Sequence, residues 1–215
     1  YAILFGDDYM SGQYNPEVLK KLQRYELEIL NDFTKVCEEN NLSYFGFSGT
    51  GIGALRHGGF IPWDDDIDLA IPRDQYEKAM EIFERDYADK YTVVSAEKYN
   101  DFPVMNTHII INDSSFVTTE DKRGNYPKGI FLDIFPIDYT PADEKQRSKH
   151  LRRAWFLSKI LIMKHIPFPH LPFKGFKAKL AHCVTAAIWL FLNVFCISHK
   201  FLYNLCLKEC TKYNH

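Results

Sequence analysis

Between Pro62 and Pro72 the chain crowds four carboxylates, Asp64, Asp65, Asp66 and Asp68, onto the head of an apolar run, Leu69-Ala70-Ile71. Neighbouring carboxylates repel, and burying them raises the free energy of a fold unless water or a cation neutralises them. The apolar run, closed by Pro72, has the composition of a short strand. Side chains alternate across a strand, so Asp66 and Asp68 are expected on one face and Ile67 and Leu69 on the other. Two carboxylates one pleat repeat apart suit a hard cation, Mg²⁺ or Mn²⁺. The plainer alternative is a solvated acidic turn; the attached strand argues against it.

Upstream, Leu42 to Phe47 reads as a strand running into Ser48-Gly49-Thr50-Gly51-Ile52-Gly53, ahead of Ala54 to His57. A glycine-rich strand-to-helix turn offers backbone N–H groups and a helix N-terminus to phosphate. Its spacing is neither GxGxxG nor a Walker A loop, so neither a dinucleotide fold nor a P-loop follows. Downstream, Ile130 to Phe135 is apolar on both faces except at Asp133. A central strand there buries a carboxylate, which then needs a metal, a basic partner or a role in proton transfer. Arg73, where the strand passes into a helix, either orients an aspartate or holds a substrate phosphate. Arg56 and His57 can reach phosphate or assist proton transfer, although a single loop histidine is commonly structural.

The stretch GTGIGALRHGGFIPWDDDIDLAIPRDQY, with GIFLDIFPID at Gly129 to Asp138, resembles the signature of the LicD family of bacterial phosphocholine transferases, which is similar to the fukutin-related ribitol-phosphate transferases. The likeness extends from about Tyr14 to Tyr139. It implies an α/β (α+β) fold, a nucleotidyltransferase-like mixed sheet with flanking helices. In that pattern Ser48 and Gly49 match the turn, Asp66 and Asp68 the paired carboxylates, and Asp133 the third. The departure is Gly51-Ile52-Gly53, where relatives often carry bulkier residues. The resemblance implies a CDP-linked donor, with CDP-choline ahead of CDP-glycerol and CDP-ribitol. It also implies a cell-surface glycan acceptor, such as teichoic acid or lipopolysaccharide, or its lipid-linked precursor. Asp66, Asp68 and Asp133 are then the expected metal ligands, with Mg²⁺ or Mn²⁺ as cofactor. Donor phosphate falls to Ser48, Gly49 and Thr50, with Arg56, His57 and Arg73 as helpers. Asp133 and Asp64 are candidate bases, and Asp65 is expected to face solvent. Trp63, Tyr44 and Tyr126 are candidates for an aromatic cage around a quaternary ammonium. An ATP-dependent nucleotidyltransferase and a noncatalytic glycan-binding module are the rival readings.

The rest of the chain frames this centre. Two regions are expected, residues 1–140 as the catalytic domain and 141–215 as a helical subdomain whose relatives commonly continue further. A net charge of −2 makes no case for nucleic acid, and five irregularly spaced cysteines form no disulfide framework, which fits a cytoplasmic enzyme. Tyr1 to Gly12 lacks the features of a signal peptide. Asn15-Pro16-Glu17 starts a helix whose face carries Leu22, Tyr25, Ile29, Phe33 and Val36. A second helix begins near Asp74. Tyr91 to Val94, His108 to Ile111 and Phe116 to Thr119 read as strands, the last two as a hairpin through Asn112-Asp113. Lys122-Arg123-Gly124-Asn125 reads as a basic loop, Asp138 as a turn or cap residue, and Thr140-Pro141 as a helix start. Residues 145–200 are basic and then apolar, and Leu180 to Ile197 has no formal charge over 18 residues. The expectation is a buried helix, ahead of peripheral contact at the inner membrane face and then a span. Cys196, His199, Cys206 and Cys210 lack the paired spacing of a zinc site.

Overall fold

The computed structural model describes residues 14–117, 121–169 and 175–214, so the readings at Tyr1 to Gly12 and at Thr118-Thr119 lie outside the described residues. The described chain divides into two compact units. The first holds residues 14–94, Asn106–Val117 and Pro127–Ile137; the second holds Ser95–Met105, 121–126 and 138–214.

Helix α1, Pro16–Asn40, starts where local chemistry places it: Asn15 accepts from the Glu17 amide, and Pro16 occupies the first turn. It ends at Asn41, whose left-handed conformation (φ 54°) lets its amide reach the last carbonyls. Its buried face runs Leu19, Leu22, Glu26, Ile29, Phe33, Val36 and Cys37, a helical repeat with one carboxylate inside it.

A five-stranded mixed sheet follows, in the order β1-β2-β5-β4-β3. Its strands are β1 (Phe45–Gly46), β2 (Asp68–Pro72), β3 (Tyr91–Val94), β4 (Thr107–Ile111) and β5 (Phe131–Ile137). Strand β2 runs parallel to β5, with Asp68 opposite Asp133; β5 pairs antiparallel with β4, placing His108 opposite Asp133. Leu69, Ile71, Leu132, Ile134 and Ile109 join Ile29 and Phe33 of α1 and Phe83 of α3 (Arg73–Asp86) in the main core. Alternation therefore sends Asp68, Asp133 and His108 to the opposite face, as one row across three strands.

Two expectations change here. Only Phe45–Gly46 of the Leu42 to Phe47 run is strand, because it sits at the sheet edge and α2 (Ser48–His57) begins at once. Phe116 does not form a hairpin with β4, whose two edges are already taken by β3 and β5. The Phe116 side chain instead packs against the core.

In the second unit, α4 (Glu144–His165), α5 (Gly175–Val194) and α6 (His199–Cys210) pack around Leu161, Leu192 and Leu202. Asp143, not Thr140, caps α4, its carboxylate accepting from the Gln146 amide. Asp138 accepts from Asn214 at 2.5 Å. Helix α5 is not a buried core helix: of its residues only Thr185 and Leu192 are buried. It is long and apolar enough to cross a membrane by length and composition. All five cysteines are free thiols.

Candidate active site

The site is built where β2 begins. Asp68 is its first residue, only 8% exposed, while Asp64, Asp65 and Asp66 form the preceding turn, held by Asp64 N–H donating to Ile61 O at 2.9 Å. Asp66 thus stands before the strand, and pleat alternation does not fix its direction. One ligand oxygen from each of Asp64, Asp65 and Asp66 lies within 4.8 Å of the others. Asp65 is not solvent-facing as expected, because its Oδ2 accepts from the Tyr14 hydroxyl at 2.5 Å. From α1, Gln23 Nε2 donates to the Asp64 carbonyl at 2.8 Å and fixes the turn from below.

Helix α2 closes the other side, and the residues expected in a turn form its first turn. Thr50 Oγ1 accepts from the Asp68 amide at 2.8 Å, and Phe47 N–H donates to Asp68 O at 2.9 Å. Ser48, at φ 48°, occupies a left-handed conformation rarely adopted by a residue with a side chain, and its hydroxyl bonds the Asp68 carboxylate. A Cβ at Gly49 would stand 2.6 Å from Asp64 Oδ2, so glycine there lets that carboxylate approach the helix N-terminus. Gly53 is likewise pressed against Gly59, where an added Cβ would lie 2.5 Å from its carbonyl oxygen. The small residues of the Gly51-Ile52-Gly53 departure therefore serve close backbone packing.

Asp133 is oriented by two donors on one oxygen. Asn106 Nδ2 reaches Oδ1 at 2.6 Å and His108 Nε2 reaches it at 2.9 Å, with the imidazole stacked on Phe131 at 4.1 Å between centroids. Asp133 is half-buried and not fully buried as expected, and its basic partner is His108. Arg73 lies with its guanidinium over the Tyr76 ring, 5.6 Å from the centroid. Arg56 and His57 are exposed at the far end of α2, about 12 Å from Ser48 at 1.5 Å per residue. The structure therefore does not bring them to the phosphate turn. Of the cage candidates, Trp63 is exposed, Tyr44 is committed to Phe33 and the Thr34 hydroxyl, and Tyr126 is buried against Phe102 in the second unit.

Crowding sets the electrostatics. Burial first, and then Asp68 and the other aspartates, push the Asp66 carboxyl up to about 7. Burial and the Asp133 charge push Asp68 up to about 6 against the opposing Ser48 hydrogen bond. Asp64 is raised by burial and by Asp65. Below them sits Glu26, 2% exposed and pushed up to about 9 by burial and by the charges of Asp66, Asp65, Asp64 and Asp133. Glu26 Oε2 and Asp64 Oδ2 are buried without a hydrogen-bond partner. Unsatisfied oxygens beside an all-carboxylate set fit a hard divalent cation, because such a charge offsets the repulsion and supplies the missing partner.

Glu26, Asn106 and His108 escaped the sequence reading. Glu26 had a signal, a carboxylate at the helical position between Leu22 and Ile29. Asn106 and His108 had none without the strand register.

The chain is similar to the lipopolysaccharide cholinephosphotransferase LicD of Haemophilus influenzae, 36% identical over 129 residues that cover 59% of this chain and 47% of that protein. An uncharacterized protein of Rickettsia prowazekii is 29% identical over 169 residues, 72% of this chain and 62% of its own. The chain thus spans about half the length of the named transferase. Residues 41–180 match the family described as LicD/FKTN/FKRP, nucleotidyltransferase domain. That stretch, well over half of the sequence, includes the α2 turn, the four clustered aspartates and Asp133, and the chain therefore belongs to this family.

Proposed function

We propose that the chain transfers phosphocholine from CDP-choline to a hydroxyl of a cell-surface glycan of the lipopolysaccharide type, with residues 1–140 carrying the chemistry. The observation that carries this reading is the row of Asp68 and Asp133 on adjacent parallel strands, beside the Asp64–Asp66 turn and the N-terminus of α2. The named relative's cholinephosphotransferase activity supports the choice of group and acceptor.

Asp66 and Asp68, with Asp133, would hold Mg²⁺ or Mn²⁺, which when bound neutralises phosphate charge and polarises the phosphorus under attack. Free N–H groups of the first turn of α2, at Ser48, Gly49 and Thr50, bind the donor phosphate, where the helix dipole favours negative charge. Arg73 follows the far end of β2, about 16 Å along the strand from Asp68 at ~3.3 Å per residue, and takes no step. Asn106 and His108 keep Asp133 in one orientation. The acceptor hydroxyl oxygen forms the new P–O bond as the bond to CMP breaks, and CMP leaves with the electron pair. Its proton passes to a carboxylate. Asp133 and Asp64 are the candidate acceptors, Asp133 with its Oδ1 already committed to two donors. Arg56 and His57 take no step.

Calorimetric titration with CDP-choline, CDP-glycerol, CDP-ribitol and ATP, each with Mg²⁺ and with EDTA, tests the proposal. Binding of CDP-choline that needs the cation, and that is lost in Asp68→Asn with an unchanged circular dichroism spectrum, is the expected result. Preference for CDP-glycerol or CDP-ribitol would reassign the transferred group to an alditol phosphate. ATP binding with pyrophosphate release, or binding indifferent to EDTA and to Asp68→Asn, overturns the transferase reading.

A further inference from the structure

Helix α5 is apolar on two sides. Its inner side packs Leu192 with Leu161 and Leu202, with Ile188 alongside. Its outer side presents Phe176, Leu180, Val184, Leu190, Phe191 and Val194, each between 52% and 79% exposed. These positions recur every three or four residues apart from an exposed Ala187 between them, so they form one stripe along the helix. A stripe of this length is more than the scattered apolar residues of an ordinary protein surface. The helix has no acidic residue; its charges are Lys177 and Lys179, both exposed in the first turns.

The helix it packs on is strongly basic. Helix α4 carries Lys or Arg at 145, 147, 149, 152, 153, 159 and 164 against the single acid Glu144. It also exposes Trp155 and Phe156, with Lys159 Nζ 5.9 Å from the Trp155 ring centroid. Aliphatic stripe, aromatic rings and lysines together are the composition of a helix pair that rests at the headgroup level of a bilayer. Charge selects among occupants. A second copy would oppose basic residues with basic residues, whereas anionic headgroups complement them.

Polar ties exclude a crossing. Lys164 Nζ donates to Asn193 Oδ1 at 2.9 Å, Asn193 Nδ2 donates to Lys164 O at 3.4 Å, and Thr185 Oγ1 donates to Pro167 O at 2.8 Å. These bonds hold α5 along α4, whose charges run through its length and cannot enter hydrocarbon.

We propose that the outer stripe of α5 and the basic side of α4 form a docking surface for an anionic lipid membrane, with α5 lying flat at the interface. This surface is independent of the catalytic reading, since it requires neither donor nor metal.

Co-sedimentation of the full chain with vesicles of phosphatidylcholine alone, or mixed with phosphatidylglycerol, is the direct test. Binding is expected to the mixed vesicles, weakened by salt. Lys177→Glu with Lys179→Glu should weaken it by about tenfold or more. Leu180→Glu with Phe191→Glu should abolish it while the circular dichroism spectrum stays unchanged. Should that double variant not fold, quenching of Trp155 fluorescence by lipids brominated in the acyl chain decides, read in a Trp63→Phe/Trp189→Phe background. Quenching on mixed vesicles supports docking, and its absence overturns it. No sedimentation with either vesicle overturns the proposal, as does equal binding to both. Retention in the bilayer through alkaline carbonate extraction would show a spanning helix instead. A dimer by light scattering that dissociates in Leu180→Glu/Phe191→Glu, without vesicle binding by the native chain, would assign the face to a second copy.

Discussion

Glu26 occupies a position on the buried face of α1 where the spacing of Leu22 and Ile29 calls for an apolar side chain. Its Oε2 has no hydrogen-bond partner, and the nearest charges acting on it are aspartates. Burial first, and then those aspartates, push its carboxyl from an ordinary 4.5 up to about 9. A raised folded-state value means that the folded protein binds more protons than the unfolded chain between those limits. Stability conferred by the protonated form is present below the lower limit and is lost as pH rises through the window. Glu26→Gln keeps the shape and removes the charge. The metal-free variant should melt higher than the native protein at pH 8, by on the order of 1–3 kcal/mol or ~2–10 °C, and the gap should close near pH 4. Thermal denaturation at the two pH values in EDTA checks this; an unchanged gap would mean that Glu26 acts only by packing. The aspartates themselves were legible because their identity and spacing carry the chemistry. Glu26 was hidden because Tyr25, one residue away, also completes an apolar pattern, and only the helix packing decides which of the two faces inward.

Elements with local start signals were read closely, and elements defined by distant partners were not. Helix α1 runs Pro16–Asn40 as its caps dictate, and α3 begins at Arg73 beside the expected Asp74. Strand Phe116 to Thr119 failed at Phe116 because strand identity depends on an unoccupied neighbouring edge, which no short segment encodes. The buried reading of α5 failed for a related reason, since apolarity says that a surface avoids water without saying what covers it. The second unit is fixed instead by a pair that the sequence weighed only as zinc ligands or not at all. His165 Nε2 and His199 Nδ1 lie 3.0 Å apart, and His199 Nε2 donates to the Ala96 carbonyl at 2.6 Å, with His165 donating in turn to Nδ1. His199→Phe should leave both the Ala96 carbonyl and the His165 N–H without partners. The expected cost is about 1–3 kcal/mol for each orphaned group. It should appear as a lower melting point in fluorescence from Trp155 and Trp189, both in this unit, with Trp63 replaced by phenylalanine to silence the other. A variant that melts with the native protein would show the histidine chain to be incidental.

For the molecule as a whole, the two units titrate in opposite directions. In the first, Glu26 at about 9, Asp66 at about 7 and Asp68 at about 6 all stand above their ordinary values, because burial and mutual repulsion oppose ionisation. The unit accordingly loses stability as pH rises from about 4 toward 9. In the second, burial and the neighbouring His199 push His165 from 6.5 down to about 4. Here the unfolded chain binds the extra proton between those values, so stability is lost as pH falls through that window. Metal-free protein should therefore show two limbs. An acidic limb of the second unit, between pH 6.5 and 4, is followed by Trp155 and Trp189, and an alkaline limb of the first unit by circular dichroism. Mg²⁺ or Mn²⁺ should lift the alkaline limb alone, because a cation in the carboxylate cluster binds the ionised form and makes deprotonation favourable. Asp66→Asn should flatten that limb in EDTA and remove most of its response to the ion, leaving the acidic limb untouched. A cation that raised both limbs equally would act by general ionic strength, and would separate the carboxylate cluster from metal binding.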